Sequence, residues 1–162
     1  MPITELAILK LNPPNTLTTS PIPEHFALLQ TRQSAWSSYP LRFYYNIANP
    51  SLIYLLSGWD SVDAHGEWIK SDGNQELLKL LGPYLTVEQL AHLDMDSGDM
   101  PEGQESQDLL IAKNVGLQGV EGRWVGGGID LEDASRPFYH LSFCAQVETQ
   151  EQGVVRVRRI RN

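Results

Sequence analysis

The residues best suited to chemistry lie in one segment, where an apolar run leads through a polar turn to a histidine. Leu52–Trp59 is apolar, partly β-branched and aromatic, which favours a buried strand. Asp60 and Ser61 follow, and both residue types often begin a helix. That helix would carry His65 one turn in, with Trp68 on the same face. Because imidazole can exchange protons near neutral pH, His65 is the leading candidate for a general base.

Composition bounds the class of protein. The chain has 162 residues, 41% of them hydrophobic, and a net charge of −8, which suits one domain or two small halves that share a core. The negative charge argues against electrostatic binding to nucleic acid or anionic membranes. The single cysteine, Cys144, cannot form an internal disulfide, and neither a membrane-length apolar run nor a basic leader is present. We therefore expect a soluble, cytoplasmic protein.

Apolar periodicity divides residues 1–96 into six elements in the order β-α-β-β-α-β. The expected elements are a strand over Ile3–Leu11, a helix from Pro21 or Pro23 to Trp36, strands over Leu41–Ile47 and Leu52–Trp59, a helix over Ser61–Lys70 that Asn74 caps for a continuation to Leu81, and a strand over Leu90–Met95. Alternation in the second strand separates its two faces, and we expect Phe43 and Tyr45 to face the helices.

The remainder of the chain is interpreted as strands only. Residues 97–108 are acidic and small, as in a linker or a solvated loop. Residues 109–162 contain four strand-like runs, over Leu109–Val115, Trp124–Leu131, Phe138–Ala145 and Val154–Ile160. A five-residue similarity between Ile53–Ser57 and Phe138–Ser142 suggests a shortened repeat of the first half. We expect Gly126–Gly128 to form a bulge or bend and the arginine-rich last strand to be a sheet edge.

The motif Leu-Ser-Gly-Trp-Asp-Ser-Val-Asp-Ala-His over Leu56–His65 resembles the dimeric α+β barrel superfamily, and within it the fungal antibiotic-biosynthesis-monooxygenase-like proteins. Ser71, Asn74, Gln75 and His92-Leu93-Asp94 extend the match. The resemblance implies a ferredoxin-like α+β fold, in which a four-stranded antiparallel sheet packs two helices on one face. Two such sheets, from two chains or two repeats, form a barrel. The resemblance also implies a homodimer and a substrate pocket between a sheet and its helices.

The chemistry implied by the resemblance is broad, since this fold serves many reactions. Aligned on Ser61-Val62-Asp63, the tyrosine and histidine of a plant polyketide cyclase in the superfamily fall on Trp68 and Asn74, so His65 would have to serve instead. We expect a cofactor-independent enzyme that acts on a polyketide-like or aromatic molecule by cyclisation, dehydration, isomerisation or decarboxylation. The alternatives are a cofactor-free anthrone-type monooxygenase, a non-catalytic binding or stress-response module, and a haem protein with His65 or His92 as the axial ligand.

The expected site combines one base with phenols and aromatic walls. His65 would move the proton, and Tyr45 or Tyr54 would stabilise an enolate or phenolate. The expected substrate-binding residues are Phe43, Trp59, Trp68, Trp36, Asn74 and His25. The alternative is a structural role, which is the more common one for tryptophans in a core and for a histidine at a helix start such as His25. His92 and His140 are weaker candidates. We expect neither a metal nor a cofactor, because the sequence has no CxxC, HExxH or suitably spaced cluster of histidines and carboxylates.

Overall fold

A computed structural model describes residues 1–101, 108–115, 124–144 and 152–160. The first half contains β1 (Ile3–Leu11), α1 (Ile22–Ser37), β2 (Arg42–Asn46), β3 (Leu52–Trp59), α2 (Val62–Lys70), α3 (Asp72–Leu81) and β4 (Leu85–Leu93). After a single 3-10 turn at Ser97–Asp99, the second half contributes β5 (Asp108–Lys113), β6 (Trp124–Ile129), β7 (Phe138–Cys144) and β8 (Val154–Arg159). Within the described residues, no helix is both long enough and apolar enough to cross a membrane.

The eight strands form one antiparallel sheet, in the order β4-β1-β3-β2-β8-β5-β7-β6. The sheet curls until its two ends meet. Leu93 forms a bridge with Asp130, and the amide of Asp94 donates to the carbonyl of Ile129 at 3.1 Å. One chain therefore supplies all eight strands of the curled sheet, four from each half. The expected ferredoxin-like α+β class is confirmed.

Three details differ from the sequence expectations. β4 begins at Leu85 rather than Leu90, because it pairs with β1 along its whole length. β8 is not an edge strand, since it lies between β2 and β5 and joins the two halves. Gly126–Gly128 form no bulge but pair regularly with β7. Residues 102–107 of the expected linker, Ala145 and Arg161 lie outside the described residues, and the division at residues 96 and 108 stays a prediction.

Serine caps position the two short helices. The hydroxyl of Ser61 accepts a hydrogen bond from the amide of Ala64 at 3.1 Å and begins α2. The hydroxyl of Ser71 accepts from the amide of Asn74 at 3.2 Å and begins α3. The expected cap at Asn74 was therefore wrong by three residues, because Ser71 takes that position. Ser71 therefore both ends α2 and begins α3, and the two helices bury His65 and Asn74.

Side chains alternate between two separate cores. One core lies between the helices and the outer face of β1, β2 and β3, and it includes Ala7, Phe43 and Leu55. The other fills the barrel interior and includes Tyr44 and Tyr54. The prediction that Phe43 and Tyr45 face the helices agrees with this division, since Tyr45 packs against the first core. The face that carries Phe43 is also the face that carries the candidate site.

Candidate active site

A buried carboxylate lies at the centre of the site. Glu5 is on β1, on the face covered by helices, and only 5% of it is exposed. Its Oε2 accepts hydrogen bonds from the indole nitrogen of Trp59 and from the amide nitrogen of Gln33, each at 2.8 Å. No lysine or arginine pairs with this carboxylate in the described part of the chain. An acid buried without a cation is costly, and such groups are often functional.

His65 on α2 lies directly above Glu5. Its Nε2 lies 3.6 Å from Glu5 Oε1, and its ring stacks on Trp59 with centroids 4.5 Å apart. The imidazole is 3% exposed. Trp59 therefore holds both groups, because it donates to Glu5 with its nitrogen and supports His65 with its ring. The sequence predicted the position of His65 on the helix but not its carboxylate partner.

A second histidine continues the contact toward the surface. His92 lies beside Glu5 in the register of β1 and β4, and its Nε2 is 2.6 Å from Nδ1 of His65. The other nitrogen of His92, Nδ1, contacts the carboxylate of Glu132. Glu132 follows β6 and has an exposed side chain, whereas His92 is buried. Glu5, His65, His92 and Glu132 thus lie side by side from the interior to solvent.

Burial shifts the pKa of each of the two inner groups in the direction that favours its neutral form. It raises the pKa of Glu5 from 4.5 to about 7, although the hydrogen bonds from Trp59 and Gln33 act in the opposite direction. Burial, and after it the charge of His92, lowers the pKa of His65 from 6.5 to about 3. At neutral pH His65 is therefore an uncharged imidazole, and Glu5 changes between acid and carboxylate in the range where a general base is most useful.

A cavity of about 270 Å³ opens beside Glu5 and His65, between the sheet and the helices. This volume is near the lower end for small-molecule sites. The polar lining consists of Glu5, Gln33, His65 and Asn74, and the apolar lining comes from β1, β3, β4 and the three helices: Ala7, Leu9, Leu29, Leu55, Trp68, Ile69, Leu78, Leu81, Leu85, Val87 and Leu90, with Gly82. The lining includes no lysine or arginine among the described residues. The cavity therefore suits a neutral, mainly apolar molecule.

The two expected phenols are not beside His65. Tyr54 points into the barrel interior, on the opposite face of the sheet. It lies an odd number of residues before Trp59 in β3, and successive side chains of a strand point to opposite faces. Tyr45 is on the correct face, but it pairs with Ile53, six residues or about 20 Å along β3 from Trp59. The expectation that either phenol assists His65 is corrected on this geometry, and Glu5 occupies the adjacent position instead.

The expected substrate-binding residues separate into two groups. Trp68 and Asn74 line the cavity, and Trp59 lies beneath His65. The other three do not line the cavity. Phe43 stacks on Phe26 within the core, with ring centroids 4.7 Å apart, and the ring of His25 meets that of Tyr84 edge-on, with centroids 5.8 Å apart. Trp36 packs against Trp68 but is 53% exposed. His140 packs against Phe138 on β7 and does not line the cavity.

Sequence reasoning missed Glu5 and Glu132 and underrated His92. For Glu5 a local signal existed, because it interrupts the apolar series Ile3, Ala7, Leu9 on one face of β1. For Glu132 no local signal existed, since its role depends on a contact with a residue 40 positions away.

The histidines do not fit the expectation of a haem ligand. Both ring nitrogens of His92 are engaged, one by His65 and one by Glu132. His65 directs Nδ1 to His92 and Nε2 toward Glu5. An axial ligand needs a free imidazole nitrogen that faces open space. In the described part of the chain, no group of three or more histidine, cysteine, aspartate or glutamate side chains is arranged to hold a metal ion.

The same fold occurs in solved structures of low sequence identity. A proposed monooxygenase from Fusobacterium nucleatum subsp. nucleatum has a TM-score of 0.69 at 8% identity, over 99% of this chain and 93% of that one. A proposed monooxygenase from Lactobacillus acidophilus NCFM has a TM-score of 0.61 at 10% identity, over 98% and 93%. A proposed chlorite dismutase has a TM-score of 0.63 at 8% identity, over 99% and 95%. No protein-family model matches the sequence, and no curated protein matches it. At these identities the likeness establishes the fold.

Proposed function

We propose that this protein is a cofactor-independent enzyme that moves a proton on a small, neutral, apolar substrate, with Glu5 as the base and His65 as its proton acceptor. The observation that supports the proposal is the buried pair itself: Glu5 and His65 lie 3.6 Å apart at the polar end of an otherwise apolar cavity. A structural carboxylate would be expected to have a cation partner, whereas Glu5 has two neutral donors.

The proposed reaction begins with removal of an acidic proton from carbon or from a phenol. Glu5 in its carboxylate form accepts the proton, and the electron pair left on the substrate delocalises into its carbonyl or ring. The protonated Glu5 lies 3.6 Å from Nε2 of His65, which carries a lone pair. In the proposed mechanism this distance shortens to that of a hydrogen bond when substrate is bound. Asn74 and the indole of Trp68 position the flat substrate, and the apolar walls exclude water.

The substrate class follows from the charge of the cavity. Because Glu5 carries a negative charge in its active form and no cation lines the described cavity, an anionic substrate would be repelled. A flat, neutral carbon acid of polyketide or anthrone type fits these conditions. The reaction that follows the proton transfer, whether isomerisation, dehydration, cyclisation or decarboxylation, depends on the functional groups of the substrate.

Anthrone is a suitable probe because it is flat and neutral and has acidic methylene protons. Under nitrogen in D₂O, we expect wild-type protein to accelerate deuterium exchange at this carbon, and Glu5→Gln to lose about 100-fold or more of the second-order rate constant. Glu67→Gln is the matched control, since Glu67 is exposed on α2 and pairs with the equally exposed Lys70. Exchange that is equal in wild type and Glu5→Gln would overturn the proposal, and binding without exchange would indicate a binding module.

A monooxygenase reaction is the second candidate, favoured by the names of two proteins that share the fold. It would begin with the same proton transfer to Glu5. The anthrone carbanion would then form a carbon–oxygen bond with O₂, and loss of one water would give anthraquinone, so that one O₂ is reduced as the methylene carbon is oxidised. Oxygen consumption with anthrone that depends on Glu5 would select this reaction, whereas exchange without oxygen uptake would exclude it.

The homodimer implied by the resemblance is also part of the proposal. One chain already supplies all eight strands of the curled sheet, so a second copy would dock on the outside of the barrel. Light scattering coupled to size-exclusion chromatography tests this: a mass of twice 18.2 kDa supports the homodimer, and a mass of 18.2 kDa rejects it.

A further inference from the structure

We infer that Glu132 is a positioning residue for this site, which fixes where the protons lie on His92 and His65 and connects the cavity to solvent. The inference rests on the proposed function, because it concerns the proton that Glu5 removes. The inference is argued from the contact between Glu132 and His92, which lies outside the cavity. Glu132 does not line the cavity and acts through two intervening imidazole rings.

The first step is the contact between Glu132 and His92. An ionised carboxylate can only accept hydrogen bonds, so Nδ1 of His92 must carry the proton that lies between them. Asp130 holds this arrangement in place, because its Oδ1 accepts from the amides of both His92 (3.4 Å) and Glu132 (3.2 Å). The side chain of Glu132 is 57% exposed, so it exchanges protons with water directly.

The second step carries the same orientation inward. A neutral His92 with its proton on Nδ1 has a lone pair on Nε2. The 2.6 Å contact to that atom requires His65 to donate from its own Nδ1. Nε2 of His65 is then left with a lone pair, and this atom faces Glu5 Oε1. Glu132 therefore determines that His65 presents an acceptor, rather than a donor, to the proposed base.

The resulting path moves one proton equivalent in three concerted transfers, so that neither ring holds two protons at once. The proton on Glu5 moves to Nε2 of His65, the proton on Nδ1 of His65 moves to Nε2 of His92, and the proton on Nδ1 of His92 moves to Glu132. Each transfer breaks one O–H or N–H bond and forms another, and no atom changes its oxidation state. The reverse sequence returns a proton to Glu5 and restores the original tautomers. The path therefore suits a reaction that removes a proton from its substrate and later returns it.

The charged and titratable groups along this path come from four elements. Glu5 faces it from β1, His65 from α2, His92 from β4, and Asp130 and Glu132 from the segment after β6. The remaining contacts of Glu5, from Trp59 and Gln33, do not titrate near neutral pH. Among the described residues, the side chain of Glu132 therefore reaches the cavity through the two histidines.

The test is the tautomer of each histidine, measured by long-range ¹H–¹⁵N NMR on labelled protein at pH 6, where Glu5 retains its proton. We expect His65 and His92 to carry their protons on Nδ1 in wild type. In Glu132→Gln the amide can donate as well as accept, so both rings should show a second population with the proton on Nε2. Glu67→Gln removes a similarly exposed carboxylate and should match wild type.

The activity readout separates this inference from the proposed function. We expect Glu132→Gln to lower anthrone exchange by about 10- to 100-fold, as is usual when a partner that orients a functional histidine is removed. If Glu5→Gln is inactive while Glu132→Gln keeps the wild-type tautomers or the wild-type rate, the positioning role is overturned and the proposed function stands. If Glu5→Gln keeps the wild-type rate, the proposed function itself fails.

Discussion

Nδ1 of His65 lies 2.6 Å from Nε2 of His92, so one proton lies between the two rings and no water separates them. Two imidazolium ions at this distance would repel each other strongly in a buried site. The pair can therefore hold only one positive charge at a time. Each ring faces a carboxylate: His92 contacts the exposed Glu132, and His65 faces the buried Glu5. Burial keeps the inner ring neutral beside Glu5, because it lowers the pKa of His65.

The buried Glu5 should make stability depend on pH in a specific direction. Its pKa is about 7 in the folded protein, above the ordinary value of 4.5. The folded state therefore holds a proton that the unfolded chain releases between these values, and the free energy of unfolding falls as pH rises from 4.5 to 7. The expected loss is about 3 kcal/mol.

Glu5→Gln provides the comparison for this effect. The variant cannot titrate at this position, so the stability difference between wild type and Glu5→Gln should shrink by about 3 kcal/mol between pH 4.5 and pH 7. The lowered pKa of His65 acts in the opposite direction, since the unfolded chain protonates there first, but it is present in both proteins and cancels. Urea unfolding at several pH values measures the difference. A difference that is independent of pH would contradict the raised pKa of Glu5.

Trp59→Phe should shift the pH at which the site becomes active. The indole nitrogen of Trp59 donates to Glu5 at 2.8 Å and stabilises its charged form, while a phenyl ring would keep the stacking on His65. Loss of a hydrogen bond to a charged group is worth about 1.5–3 kcal/mol, which corresponds to a rise of about one to two pH units in the pKa of Glu5. The pH profile of anthrone exchange measures this midpoint.

Trp68→Phe is the matched control for that shift. Trp68 also lines the cavity, but it makes no hydrogen bond with Glu5. We expect its replacement to change the Michaelis constant for anthrone and to leave the midpoint of the pH profile in place. Equal midpoints in wild type and Trp59→Phe would show that the indole donor does not tune Glu5.

Ala7→Leu should close the cavity without disturbing the site residues. Ala7 lies two residues beyond Glu5 on the same face of β1 and borders the cavity, so a leucine there would occupy the space assigned to the substrate. We expect anthrone exchange to fall at least tenfold, while thermal unfolding stays within a few degrees of wild type. Unimpaired exchange in a stably folded Ala7→Leu protein would place the substrate elsewhere.

Local periodicity accounts for the part of the fold that could be predicted. The alternation around Phe43 and Tyr45 identified the helix-facing side of the sheet, because a strand places successive side chains on opposite faces. The serine before α2 and the aromatic spacing within it placed His65 on a buried helical face. These features depend on neighbours within a few residues, and a sequence displays them directly.

The rest of the site depends on contacts between distant segments. Gln33 and Trp59 reach Glu5 from positions 28 and 54 residues away. The central position of β8 likewise follows from pairing with both β2 and β5. Sequence periodicity cannot report which strands become neighbours, so the carboxylate partner of His65 was not predictable. The error on Tyr54 was of another kind, since its odd spacing from Trp59 within one strand already places the two on opposite faces.

Closure of the barrel should be sensitive to one glycine. A Cβ atom on Gly128 would lie 2.8 Å from Oδ1 and 3.1 Å from the backbone nitrogen of Asp94. Asp94 accepts from the amide of Ile129 and so links the ends of β4 and β6. We expect Gly128→Ala to destabilise the protein by about 1–3 kcal/mol, because the two chain segments must separate. Urea unfolding measures the change.

Gly66→Ala is the control, and it should have the opposite sign. Gly66 is in the middle of α2, and a Cβ atom there would meet nothing within 4 Å. Alanine in a helix interior is favoured over glycine by about 0.5–1 kcal/mol, so this variant should be more stable than wild type. If both variants change stability by the same amount and sign, the close approach of β6 to Asp94 does not limit closure. Opposite signs would locate the closure of the barrel at the contact between Gly128 and Asp94, next to the segment that carries Glu132.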